Sequence, residues 1–238
     1  MKNFLLAFTA VITAAGCGGT MLPEPMDKTK MMGGDPTTYP SGPYGHDVGS
    51  VVRDFSVFGR RDTAFNGQSA DNPPGPIFAH DYFNDKSIKV LVVAVAAGWC
   101  GPCRDEQHGM IQLYNDYVKA GTGVRFLEAV VETERQGDPS TMDYVDSNWV
   151  TNGGAGWYED PNDPIAGEYV NFDIAIDGDG RSLSEFYQIQ SIPAQIVITT
   201  TEVKIGNKTY PAMSIVTKNN GVDRSLGKKI KSVLDAAK

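Results

Sequence analysis

Residues 88–103 have the sequence IKVLVVAVAAGWCGPC, an apolar run followed by two cysteines that are two residues apart. The run from Ile88 to Ala97 lacks polar alternation, which is typical of a strand covered on both faces in a parallel or mixed sheet. Apolar residues with helical spacing follow it, and they predict a helix from Cys100 to about Ala120. The segment therefore combines a buried strand, a cysteine pair and a helix.

The cysteine pair at the predicted helix start has the features of a reactive dithiol. Cys100 would face unpaired backbone N–H groups and the positive end of the helix dipole, which stabilise a thiolate. Pro102 suits the first helical turn, because the N–H that it lacks would have no partner there. Cys103 lies one turn further on, close enough for a Cys100–Cys103 disulfide, and could release a substrate by attacking a mixed disulfide on Cys100. Trp99 would form an apolar wall beside the sulfur.

The rest of the chain alternates between strand and helix patterns. We predict extended pieces at 51–52 and 55–58, strands at 124–131, 172–176, 194–201 and 210–217, and helices at 140–150, 182–189 and 223–237. The last two strands would be joined through a turn at Gly206-Asn207, and loops are expected at 66–76 and 153–168. This order predicts an α/β layered domain.

Charge and cysteine content exclude several classes of function. The 238-residue chain has a formal net charge of -8 and no run of Lys or Arg, so nucleic acid is not expected as a partner. His46, His80 and His108 lack the spacing of a zinc site, so we expect no metal and no cofactor. Two of the three cysteines share one short motif, which favours a redox-active pair; a purely structural disulfide is the alternative.

The first residues are typical of an export signal. An apolar run at 4–12 is too short to span a bilayer, and small residues follow it directly before Cys17. This ending resembles a bacterial lipobox, so we expect residues 1–16 to be a lipoprotein signal peptide and Cys17 to be acylated. A plain secretory signal is the alternative. Residues 17–47, rich in Gly, Pro and Met, would form a flexible tether, and residues 48–238 the folded domain.

The motif at 99–103 resembles the active-site motif of thioredoxins. Ser191-Ile192-Pro193, just before a β-branched strand, resembles a second motif of that family. The resemblance implies a thioredoxin fold with a central mixed β-sheet flanked by helices. The corresponding Pro of the family is cis and lies opposite the cysteines. The resemblance therefore implies that Ile192 and Pro193, with Trp99, contact an extended substrate segment.

Within this superfamily the chain is most similar to the membrane-tethered TlpA/ResA type of redoxin, over roughly residues 48–238. That group has an N-terminal extension and an insert before the cis-Pro strand. Thioredoxins hold a buried Asp six residues before the first Cys, where this chain has Ala94. The TlpA-like group instead places a Glu three residues after the second Cys. The resemblance thus implies that Glu106 takes the Cys103 proton; a solvated surface carboxylate is the alternative.

Two residues depart from the pattern of the family, and a pair of aspartates could suggest a calcium site. His108 occupies a place where relatives often have a helix-kinking Pro, and it is either a surface side chain or a titrating neighbour of the site. Gly98 replaces the usual Ser or Thr before the Trp, which could loosen the backbone beside Cys100. Asp177 and Asp179 lack the distal Glu of a calcium loop, so a turn is the better interpretation.

The resemblance implies an extracytoplasmic thiol-disulfide oxidoreductase that reduces protein disulfides and receives electrons from a membrane protein. An acylated Cys17 would anchor it in the bacterial cell envelope, facing the periplasm or another extracytoplasmic space. Gly18 lacks the Asp that retains some lipoproteins at the inner membrane, which favours the outer membrane. One alternative is a peroxiredoxin-like peroxidase, although Ala97 stands where that chemistry needs Thr or Ser. The other is a non-catalytic envelope lipoprotein that binds a partner through its 153–168 loop.

Overall fold

The structure is a computed structural model that describes residues 39–62, 72–118, 120–150, 170, 172–177 and 182–237. The expected signal peptide, Cys17 and the first part of the expected tether lie outside these residues, as do the 153–168 loop and Asp179.

Within the described residues, strands and helices alternate along the chain. The strands are β1 (Ser56–Arg60), β2 (Gly75–Phe78), β3 (Val90–Ala96), β4 (Val124–Val130), β5 (Asp173–Ile176), β6 (Ala194–Thr199), β7 (Val203–Ile205), β8 (Lys208–Tyr210) and β9 (Ser214–Asn220). The helices are α1 (Ala79–Asn84), α2 (Gly101–Tyr117), α3 (Met142–Val145, continued by a π-helical turn Asp146–Val150), α4 (Ser182–Phe186) and α5 (Leu226–Ala236).

Seven strands form one mixed sheet in the order β2-β1-β5-β4-β3-β6-β9. β4 pairs in parallel with β3 and with β5, whereas the remaining neighbours are antiparallel. Every residue of β3 and β4 is buried, as expected for central strands covered on both faces. The expected α/β architecture, a central mixed sheet flanked by helices, is therefore confirmed.

Helices α2 and α5 lie side by side. The Tyr117 hydroxyl donates to the Gly227 carbonyl at 3.1 Å, which joins the end of α2 to the start of α5. α2 buries Met110, Ile111 and Tyr114, and α5 buries an apolar stripe of its own. α2 thus packs its buried face on the domain core, with the cysteines at its amino end.

Two parts of the secondary structure differ from the prediction. The sequence predicted a loop at 66–76 and no element between that loop and the strand at 88–97, yet β2 and α1 lie there. β2 is an edge strand, where Pro76 is tolerated. The turn at Gly206-Asn207 exists, but it joins β7 to β8 in a separate hairpin rather than β6 to β9. The strand expected at 210–217 therefore divides, with Tyr210 in the hairpin and β9 beginning at Ser214.

Packing begins before residue 48. Tyr39 is buried, and its hydroxyl donates to the Val52 carbonyl at 3.1 Å. Its ring meets Phe83 of α1 edge-on, with ring centroids 5.7 Å apart. Tyr44 forms a parallel bridge with Val51. Residues from Tyr39 onward therefore contact the folded domain.

Candidate active site

The cysteine pair lies where β3 passes into α2. Cys100 is the residue that precedes the first turn of α2, Pro102 lies in that turn, and a disulfide joins Cys100 to Cys103. The Cys103 backbone N–H donates to the Cys100 sulfur at 3.2 Å. A free Cys100 thiolate would receive this hydrogen bond and the field of the helix dipole.

Exposure does not separate the two cysteines. Cys100 is 2% exposed and Cys103 is 1% exposed, a negligible difference. Their positions do distinguish them, because Cys100 precedes the helix and accepts the Cys103 N–H. The geometry favours Cys100 as the thiolate that meets a substrate.

Trp99 is held by a carboxylate that the sequence analysis did not identify. Its indole Nε1–H donates to Glu132 Oε2 at 2.6 Å, and the Gly137 N–H donates to the same oxygen at 3.0 Å. Trp99 is 38% exposed although it neighbours the buried disulfide, so the indole presents an apolar surface beside the cysteines. Glu132 directly follows the strand pattern in the sequence, but nothing in that pattern indicates its partner.

The Ile192–Pro193 peptide bond is cis. Ala194, the next residue, pairs with Val95 near the carboxyl end of β3, so Pro193 lies beside the end of the strand that leads to the cysteines. The Gly221 N–H donates to the Pro193 carbonyl at 2.7 Å. Within the described part of the chain, the backbone of Ile192 makes no hydrogen bond to another backbone group.

Glu106 lies one helical turn beyond Cys103, on the buried face of α2. It is 7% exposed, so it is not a solvated surface carboxylate. Burial raises the pKa of Glu106 to about 8; the nearby Gln195 side chain and Asp223 backbone oppose the rise, and the Asp223 charge adds to it. A carboxyl group with such a pKa can exchange a proton near neutral pH.

A second buried carboxyl group, Glu128 on β4, was also missed. It is 1% exposed, and the Gln107 side-chain amide donates to it at 3.4 Å. Burial raises the pKa of Glu128, and the charge of Glu106 raises it further. A charged residue in the middle of a strand predicted to be buried was the signal that could have identified it.

The departures noted in the sequence have local explanations. A Cβ on Gly98 would lie 2.8 Å from the Thr133 carbonyl carbon and from the Glu134 nitrogen, so the close backbone approach excludes a larger residue. His108 is half-buried and contacts Gln112, with 2.9 Å between the nitrogens. Asp177 accepts hydrogen bonds from the Leu183 and Ser184 N–H groups at 3.0–3.2 Å, which stabilises the start of α4.

Searches of the described residues for two other features gave no candidates. No cluster of three or more His, Cys, Asp or Glu side chains there has a geometry that could hold a metal ion. No helix in the described ranges is long and apolar enough to cross a bilayer.

The chain matches no protein-family model and no curated protein. Among solved structures it resembles a 2-Cys peroxiredoxin of Plasmodium vivax, with a TM-score of 0.50, 14% identity and coverage of 80% of this chain and 81% of that one. It resembles a protein described as a disulfide isomerase of Bacteroides thetaiotaomicron to the same TM-score of 0.50, at 13% identity, covering 82% and 95%. A DsbE-like thiol:disulfide interchange protein of Chlorobium tepidum matches with a TM-score of 0.48 and 19% identity, covering 79% and 98%.

These identities are low enough that the likeness concerns the fold alone. The mixed sheet, the cysteine pair at the start of α2 and the cis-proline before β6 agree with it. The chain has a thioredoxin fold.

Proposed function

We propose that this chain is a thiol-disulfide oxidoreductase that reduces protein disulfides through Cys100 and Cys103. The observation that carries the proposal is the Cys100–Cys103 disulfide at the amino end of α2, next to the cis-Pro193 segment. The exposed Trp99 indole and the unpaired Ile192 backbone support a protein or peptide substrate, because they offer an apolar surface and a strand-like edge.

In the reducing direction, the Cys100 thiolate attacks one sulfur of a substrate disulfide. The substrate disulfide breaks, one substrate sulfur leaves as a thiolate, and a mixed disulfide forms on Cys100. Cys103 then gives its proton to Glu106 and attacks the Cys100 sulfur. This step forms the Cys100–Cys103 disulfide and releases the second substrate thiolate, so that two electrons pass from the dithiol to the substrate.

The test is to trap the mixed disulfide. A Cys103→Ser variant, incubated with a disulfide-containing protein such as insulin, should accumulate a covalent adduct that dithiothreitol releases, because the resolving thiol is absent. A Cys100→Ser variant is the matched control and should accumulate much less. Absence of an adduct in both variants, together with no equilibrium of the native pair with glutathione or dithiothreitol, would contradict the proposed function.

The direction of exchange is open to a separate measurement. A reduction potential near that of thioredoxin, about -270 mV, would support a reductant that a membrane electron donor must recharge. A potential near -120 mV would instead indicate a disulfide donor. Peroxide turnover by the purified chain alone would favour the peroxidase alternative. Ala97 argues against this alternative, because it is buried and lacks the hydroxyl group that Thr or Ser would supply.

We further propose that the chain is exported and anchored through an acylated Cys17, as a TlpA/ResA-like envelope protein. The support comes from the apolar run and small residues that precede Cys17. A fatty-acid label should be incorporated by the native chain and lost in a Cys17→Ala variant. Retention of the label in that variant would contradict anchoring at Cys17, and recovery in the cytoplasmic fraction would contradict export.

A further inference from the structure

A row of polar side chains crosses the sheet beneath α2. In the register of the strands, Ala94 of β3 pairs with Gln195 of β6 on one side and with Glu128 of β4 on the other. Residues paired in this way point to the same face of a sheet. The bond from Gln107 to Glu128 identifies this face as the one that α2 covers. The small Ala94 side chain leaves room above it for the polar groups of the helix.

Glu106 reaches this buried row from α2, where it lies near the Gln195 side chain. Glu106 is next to Gln107 in α2, and its charge acts on Glu128 across the helix–sheet contact. Both side chains are buried, at 7% and 1% exposure. Two ionised carboxylates in one buried row repel each other, so the arrangement favours at least one protonated group at neutral pH.

The hydrogen bonding also points to a proton. Among the described residues, two buried acceptors of this row, Glu106 Oε1 and Gln107 Oε1, and one buried donor, Gln195 Nε2, have no hydrogen-bond partner, so one donor stands against two acceptors. Leaving buried acceptors unpaired costs about 1–3 kcal/mol each. A protonated carboxyl group supplies an O–H donor that an ionised pair lacks. The O–H of one protonated glutamate would therefore have a buried hydrogen-bond acceptor in this row.

The proton has a route to solvent. A cleft of about 350 Å³ opens between α2 and the segment that joins β9 to α5, and Glu106 lines it. The charged groups around it are Asp105 of α2, Arg224, and Asp223, which pairs with Lys229 at 2.6 Å. Glu106 thus lies between the cleft and the deeper Glu128, with Cys103 one helical turn away.

We propose that Glu128 is a positioning residue for proton transfer at Cys103, forming with Glu106 a coupled carboxyl pair that stores a proton behind the cysteines. This inference rests on the proposed exchange function. When Cys103 attacks the mixed disulfide, its S–H bond breaks and its proton passes to the pair through Glu106. When the disulfide is reduced again, the pair returns a proton to Cys103, and the cleft lets Glu106 equilibrate with solvent.

The experiment compares the native chain with a Glu128→Gln variant, which keeps the shape and an acceptor for Gln107 but removes the second charge. The rate at which Cys103 resolves a preformed mixed disulfide is measured against pH. We expect the pH dependence of resolution to change from the two steps of a coupled pair to the single step of Glu106, because residue 128 no longer titrates. Glu202→Gln, at an exposed position between β6 and β7, should leave the pH profile unchanged.

The outcomes separate the two proposals. Absence of mixed-disulfide resolution in the native chain would overturn the proposed function itself. Normal resolution with the same pH profile in Glu128→Gln would overturn the inference alone, even if the variant were less stable. If the variant does not fold, infrared spectra of the native chain between pH 6 and 9 decide instead: loss of a protonated-carboxyl band as pH rises supports the pair, and no such band overturns it.

Discussion

Glu132 accepts a hydrogen bond of 2.6 Å from the indole of Trp99, the residue that immediately precedes the cysteine motif. The segment that follows β4 is therefore tied to the segment that leads into α2. The same carboxylate accepts the Gly137 N–H, so one buried acid orders both the indole and the segment that follows β4. The apolar surface beside Cys100 depends on this contact.

A Glu132→Gln substitution should weaken substrate binding more than thiol chemistry. It replaces a charge-assisted hydrogen bond with a neutral one, a loss of about 1 kcal/mol, or roughly fivefold in kcat/KM for a protein disulfide. The reduction potential of the cysteine pair should stay the same. Insulin reduction kinetics and redox equilibration would measure the two effects, with the exposed neighbour Glu134→Gln as control. An unchanged kcat/KM would contradict a substrate-binding role for the ordered indole.

The stability of the domain should fall as pH rises from about 4.5 to about 8. Burial raises the pKa of Glu106 from 4.5 to about 8, so in this range the folded state binds more protons than the unfolded state. The contribution is complete below the unfolded pKa and is lost as pH rises through the folded one, with a slope of at most roughly 1.4 kcal/mol per pH unit for one group.

Urea unfolding at several pH values would measure this slope. In a Glu106→Gln variant the decline should be shallower, since one of the carboxyl groups whose pKa is raised is gone. The exposed Glu185→Gln variant is the control and should keep the native slope. A stability that rises from pH 5 to pH 8 would mean that the carboxyl groups are buried in their ionised form.

Two glycine substitutions should act in opposite directions. Gly98→Ala places a methyl group 2.8 Å from the backbone of residues 133–134, so we expect a loss of about 1–3 kcal/mol in unfolding free energy. Gly109→Ala lies within α2 with no atom within 4 Å of the added Cβ, so it should stabilise the domain by up to about 1 kcal/mol. Equal effects in chemical denaturation would contradict the close approach at Gly98.

Asp177 should act as a helix-stabilising residue and not as a cation ligand. An Asp177→Ala variant loses the acceptor for the Leu183 and Ser184 N–H groups, which should lower the unfolding free energy by about 1–2 kcal/mol. Thermal unfolding of the native chain should not change on addition of calcium or of a chelator. A calcium-dependent rise in the melting temperature would contradict this assignment.

Local sequence patterns were sufficient for much of the fold. The apolar run at 88–97 predicted β3, because a strand buried on both faces needs no polar positions, and the strand predicted at 124–131 is β4. Patterns failed where structure depended on distant partners. β2 contains Gly75 and Pro76 and resembles a loop, yet it pairs with β1 at the sheet edge. The β7–β8 hairpin was misassigned because a two-residue turn pairs the residues that flank it directly.

The sequence by itself determined the chemistry of the candidate site: two cysteines two residues apart at a helix start, a glutamate one turn further on, and a proline before a late strand. These follow from spacing along one chain segment. Only the tertiary structure decided which carboxyl groups surround the dithiol. Glu128 and Glu132 are within five residues of each other, yet one lies beneath α2 in register with Ala94 and the other binds Trp99. Strand register and helix packing set those contacts, and both arise from long-range burial that no local pattern contains.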